Sequence, residues 1–226
     1  MPLEAISGMD METDLLDDLV EKGLARQADS ENYDVHDLVR EFLTRSMEDS
    51  LSQSLHANAA EWYRVRKQNP SESIEHIHHL HMSGDTEGLA AALSEEGHAL
   101  VKAGHIELLG ILRVLEASMF GPRTRFVIHE LTGDILSIQG RWDDAEEQYD
   151  LALPIAARHK LTTPLARIYS SRADLAVKKG EMDNALSLHK KALEMQIKLR
   201  DAQGAARSYN NMGYIFRRQR DNKRAI

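Results

Sequence analysis

The chain is 226 residues long, enough for one large or two small domains, and it has no cysteine, which removes disulfides, thiolate metal sites and thiol nucleophiles. No apolar run approaches a membrane span, and the acidic N-terminus (MPLEAISGMDMETD) is not that of a secretory leader, so a reducing, cytoplasmic setting and no membrane partner are expected. The net charge of −8 hides a split: residues 1–125 carry 11 basic and 23 acidic side chains (net −12), and residues 126–226 carry 17 and 13 (net +4), so the first half repels phosphate backbones.

Aromatics are few, and Leu, Ala, Glu, Lys and Arg dominate, a composition that points to an all-α protein. Leu15, Leu16, Leu19, Val20 and Leu24 fall at helical spacing after Thr13, a capping residue. Two short extended segments follow, about 24–28 and 33–36, joined by the polar turn Asp29-Ser30-Glu31-Asn32. A helix from Asp37 to Met47 comes next, with Leu38, Val39, Phe42 and Leu43 inward. Helix, small hairpin, helix is the closing half of a winged-helix domain.

From Ser50 the pattern is helical throughout. One helix runs to about Lys67 and buries Leu51, Leu55, Ala59, Trp62 and Tyr63; Asn69-Pro70-Ser71 breaks it. Ile74, Ile77 and Leu80 mark the next, ended by Ser83-Gly84-Asp85. Shorter helices are expected at about 86–94, 96–103 and 106–118. Beyond Gly121-Pro122, helical hairpins run at 123–139 with 142–159 and at 163–179 with 182–200, and a last helix starts near 203. This divides the chain into a winged-helix-like segment (1–48), a helical spacer (49–121) and a repeat region (122–226).

The repeat region carries a 40-residue echo. Gly133, Ala173 and Gly213 are 40 apart, as are Gly140 and Gly180, Ala145, Ala185 and Ala225, and Ala152 and Ala192. Small residues at fixed offsets let two helices approach closely, the mark of stacked helical hairpins. The third copy stops one residue after Ala225, so the chain reads as a piece of something longer, about two and a half repeats. Its open end, with Met212, Ile215 and Phe216, is expected either to fray beyond Phe216 or to pair with a second copy of the chain.

These residues resemble tetratricopeptide (TPR) repeats, which place a small residue in the first helix, Gly in the turn, then Ala, an aromatic four residues on and Ala three later. The copies read Gly133, Gly140, Ala145, Tyr149, Ala152, then Ala173, Gly180, Ala185, His189, Ala192, then Gly213, Arg220, Ala225; His189 and Arg220 depart from the pattern. The first half is similar to the region after the nucleotide-binding core of STAND-class, NB-ARC-like signalling NTPases. LVEKGLARQADSENYDVHDLVREFL resembles their winged-helix ending, Val35-His36-Asp37 resembles their MHD motif, and AAEWYRVRKQNPSESIEHIHHLHMSGD looks like their helical spacer.

The resemblance implies that His36 reaches the phosphate of a bound nucleotide in a full-length protein. Within these 226 residues no GxxxxGK[ST] loop occurs, so no cofactor is expected and no catalytic group emerges. His76, His78, His79 and His81 pair only at i, i+3, on different faces, and no metal site is expected there. By the TPR register the first helices line a concave face, with Glu130, Asp134, Ile138, Arg167, Ser170, Asp174, Lys178, Arg207, Asn210, Tyr214 and Arg217 exposed on it. Arg167, Asp174, Lys178, Arg207, Asn210, Tyr214 and Arg217 are the expected partner-binding groove for a protein or peptide.

Two functions fit. One is a non-catalytic, effector-sensing scaffold of a signalling ATPase; the other is a winged-helix transcription regulator with a TPR ligand domain. The Asp and Glu around the helix from Asp37 argue against DNA entry, and the basic run from Arg217 to Arg224 lacks interleaved aromatics, so nucleic acid is not the expected partner.

Overall fold

The computed structural model describes residues 18–27, 33–35, 47–66 and 69–224, in two compact units that divide between Ala92 and Leu93. In the first, residues 18–21 are helical and lead to β1 (Ala25–Gln27), which pairs antiparallel with β2 (Tyr33–Val35) in the register Ala25 to Val35. The expected hairpin is therefore present. The helix expected from Asp37, and His36 itself, lie outside the described residues.

α1 (Asp49–Arg66) packs on α2 (Pro70–Ser83). The break between them is built by a capping box: Asn69 Oδ1 accepts from the Glu72 amide at 3.0 Å and the Glu72 carboxylate accepts from the Asn69 amide at 3.2 Å, with Pro70 at the first helical position. Ala59, Ala60, Ile77 and Leu80 form the buried contact. Leu51 does not join it; its side chain is exposed near the start of α1.

α3 (Thr86–Ala103) is one continuous helix where the sequence suggests a break near Glu95. Gly97 is there for close approach: a Cβ on it would meet Leu131 Cδ1 at 2.5 Å. The helix expected over 106–118 is shorter, α4 (Leu108–Val114) followed by a 3-10 turn at Ala117–Met119. Its buried stripe of Leu108, Leu109, Ile111 and Leu112 runs out, and Leu115 turns extended.

Two helical hairpins follow, α5 (Pro122–Ile138) with α6 (Trp142–Arg158) and α7 (Thr162–Lys179) with α8 (Met182–Lys198), and then α9 (Ala202–Arg224). The 40-residue comb is also a packing rule. Ala145, Ala185, Ala152, Ala192 and Ala173 are fully buried, and Tyr149 lies on Gly133, where a Cβ would meet its ring at 2.5 Å. Gly140 and Gly180 make the turns in the left-handed region (φ 76° and 84°), and Lys160 and Arg200, again 40 apart, take the same region between hairpins. At the third turn position stands Arg220, and α9 runs through it as helix to Arg224.

Candidate partner-binding surface

The first helices of successive hairpins, α5, α7 and α9, are stitched by polar bonds. Arg167 donates to both carboxylate oxygens of Glu130, Nε at 3.0 Å and Nη2 at 2.6 Å, and the Nε2 of His98 from α3 lies 2.8 Å from the same carboxylate. Glu130 is only 1% exposed, so it is not the exposed groove acid that the repeat register suggests; it is the buried centre of a three-residue network. Burial alone would raise its carboxyl, but the bonds from His98 and Arg167 and the Arg167 charge outweigh this and hold it below the ordinary range.

One turn along α5, Asp134 accepts from the Tyr149 hydroxyl at 2.7 Å and from Ser171. Burial, and then the neighbouring Glu130 charge, push Asp134 up to about 6. A carboxyl raised in the folded state holds its proton more tightly there than in the unfolded chain. Its contribution to stability is therefore full at acid pH and is lost as pH rises from about 4 through about 6. Asp134→Asn, which can still accept from Tyr149, is expected to stabilise the chain at pH 7 by on the order of 1–3 kcal/mol and to flatten that pH dependence. Denaturant titrations of both proteins at pH 4.5 and pH 7 check this; an equal gap at the two pH values contradicts it.

In the next seam Asp174 accepts from Asn211 Nδ2 at 2.9 Å, and His189 Nε2 lies 3.4 Å away. Burial raises Asp174, against the opposing influence of His189, Asn211, Lys178 and Arg207. Lys178 Nζ donates to the Ser137 carbonyl at 3.2 Å and to its hydroxyl at 2.8 Å.

Arg167, Asp174, Lys178, Arg207, Asn210, Tyr214 and Arg217 are all exposed. The first three are tied into the seams by the bonds just given. The other four stand on α9, where Tyr214 lies under the Arg218 guanidinium at 5.6 Å. Sequence reasoning missed His98, Ser137 and Asn211. The signal was an offset of 37, one helical turn short of the repeat, which joins Glu130 to Arg167 and Asp174 to Asn211.

The histidines of α2 gather around a residue that was also missed, His56 of α1. His56 Nδ1 is 2.7 Å from His79 Nδ1, one donating and the other accepting, and the His79 ring stacks on Tyr63 at 5.5 Å. Burial, then the His56 and His78 charges, push His79 down to about 4. His76 is turned into the core, and among the described residues no group of three or more His, Cys, Asp or Glu is placed to hold a metal.

Residues 164–226 match the family described as tetratricopeptide repeat. Over that range the helical repeat is a tetratricopeptide repeat. The hairpin α5 and α6, ahead of the matched range, carries the same small-residue comb. No curated protein matches the chain.

Among solved structures, a Signal Transduction ATPase with Numerous Domains (STAND) protein with a tetratricopeptide repeat sensor, from Pyrococcus horikoshii, aligns over 97% of this chain and 39% of its own, at 17% identity and a TM-score of 0.50. This chain thus spans well under half of that protein, and the likeness is one of fold. BtubC (BKLC) from P. vanneervenii aligns over 80% of this chain and 70% of its own, at 22% identity and a TM-score of 0.45. No helix among the described residues is long and apolar enough to cross a membrane.

Proposed function

We propose that this chain is the sensor scaffold of a cytoplasmic signalling ATPase and that its TPR repeats hold a protein or peptide along the face shared by α5, α7 and α9. The observation that carries this reading is the division of labour among the seven groove residues. Arg167, Asp174 and Lys178 are occupied in holding neighbouring hairpins together, while Arg207, Asn210, Tyr214 and Arg217 are exposed on α9. An exposed aromatic among cations and an amide is the composition of a polypeptide contact surface.

The fold likeness to a STAND protein whose own description includes a TPR sensor supports the placement beside an ATPase core. In this reading the chain binds no nucleotide itself. His36 would act on phosphate only when joined to such a core.

The test is a displayed peptide library selected on the chain, with the selected peptides titrated against Arg207→Glu and Tyr214→Ala. Each variant is expected to lose about tenfold in affinity. Selected peptides that bind both variants like the parent place the contact elsewhere and defeat the proposal.

A further inference from the structure

α1 and α2 meet across a cluster of imidazoles. His56 of α1 and His79 of α2 hold one proton between Nδ1 atoms 2.7 Å apart, and their ring centroids are separated by 5.0 Å. The His78 ring stands 6.1 Å from His56 and 5.4 Å from His79. Tyr63, itself edge-on to Trp62, stacks on His79, whose side chain is only 12% exposed. Among the described residues, the titratable groups that face His79 are His56 and Tyr63 from α1 and His76, His78 and Glu75 from α2. Glu75 offers it a carboxylate, but at 3.9 Å, one turn away on the same helix and half-exposed, where water screens the attraction. Glu61 is held by its own partner, Arg64, at 2.6 Å, and the Glu72 carboxylate is bonded to the Asn69 amide.

We propose that the contact between α1 and α2 is an acid-sensitive latch, closed while His56 and His79 hold one proton between them and opened as mild acid charges the cluster. Two neutral imidazoles bond each other with one Nδ1–H as donor and one bare Nδ1 as acceptor. A further proton keeps that bond but sets a charge in a part-buried site beside His78. A second one leaves both Nδ1 atoms as donors facing each other, and the contact opens. Burial, then the His56 and His78 charges, hold His79 down at about 4; burial, then His78, lowers His56 and His81. All three act in one direction. A histidine held below its ordinary 6.5 in the closed hairpin takes its proton more readily in the open one. The latch is therefore at full strength above about pH 6.5 and weakens as pH falls from there through about 4. In the repeats, Asp134 is raised instead, and its contribution is full in acid. Acid thus loosens the hairpin under conditions that favour that repeat site. The latch does not depend on the binding surface proposed above.

Hydrogen exchange of the full 226-residue chain tests this, read by mass spectrometry at pH 7.5 and pH 5 and corrected for the intrinsic exchange rate. Amides of α1 and α2 are expected to lose about tenfold in protection at pH 5, while those of α5 and α6 hold or gain. His79→Gln, which can still bond His56 but takes no proton, should remove most of the loss. His79→Phe, which keeps the stack on Tyr63, should do the same and serves where the Gln variant fails to fold. In the parent, the imidazole proton resonances followed by NMR should show at least one histidine still neutral at pH 5. Equal protection of α1 and α2 at the two pH values overturns the proposal, as does a loss matched in α5 and α6 or one that both variants retain in full. Titration of all 11 histidines near the ordinary value of about 6.5 overturns it as well.

Discussion

Tyr149→Ala is expected to destabilise the repeat unit by about 3–5 kcal/mol, the cost of emptying a large buried aromatic site. The ring is 1% exposed and rests on Gly133, which has no side chain to offer in its place. Its hydroxyl also donates to Asp134, and removing it leaves a part-buried carboxyl short of a partner. Tyr149→Phe separates the two effects. It keeps the ring and loses only the bond, and should cost about 1 kcal/mol. Urea titrations of the full chain followed by circular dichroism measure both; equal losses for Phe and Ala would mean that the ring packs less tightly than the structure shows.

Arg167→Ala is expected to cost about 3 kcal/mol at neutral pH, because it leaves a buried carboxylate with His98 as its one remaining partner in the network. The pH dependence distinguishes this from lost packing. In the parent, Glu130 is held below its ordinary value of 4.5, so it contributes stability that is present above that pH and lost as pH falls through the folded value. Without Arg167, burial acts with less opposition, the carboxyl rises, and acid relieves the variant. The gap between variant and parent should therefore shrink as pH is lowered toward 4. A gap that stays constant from pH 7 to pH 4 would show that Arg167 acts through its aliphatic stem alone.

The comb of Gly and Ala positions was legible because each is a packing requirement at a fixed offset. Ala145 and Ala185 can be nothing larger where two helices touch, and the turns at Gly140 and Gly180 need the left-handed region. The His98, Glu130 and Arg167 network was not legible. Its acid and base sit 37 apart, a period minus one turn, and its histidine comes from α3, outside the repeats. The expected break in α3 fell at Glu95, but the helix runs through it, with Gly97 two residues on pressed against Leu131 from outside the segment. His56 escaped because the histidine cluster is closed from a second helix, 23 residues earlier than His79.

The central claim is that Gly133 and Gly213 are the same position in two repeats, one filled by its second helix and one open. Thermal unfolding of Gly133→Ala and Gly213→Ala, followed side by side with the parent, tests it most directly. At Gly133 the new methyl meets the Tyr149 ring at 2.5 Å, and overpacking should cost about 1–3 kcal/mol despite the better helix former. At Gly213 the methyl enters open space, and the gain in helix propensity should stabilise α9 by about 0.5–1 kcal/mol. Opposite shifts in melting temperature are the predicted result. Shifts of the same sign at the two positions would contradict the register on which the account rests.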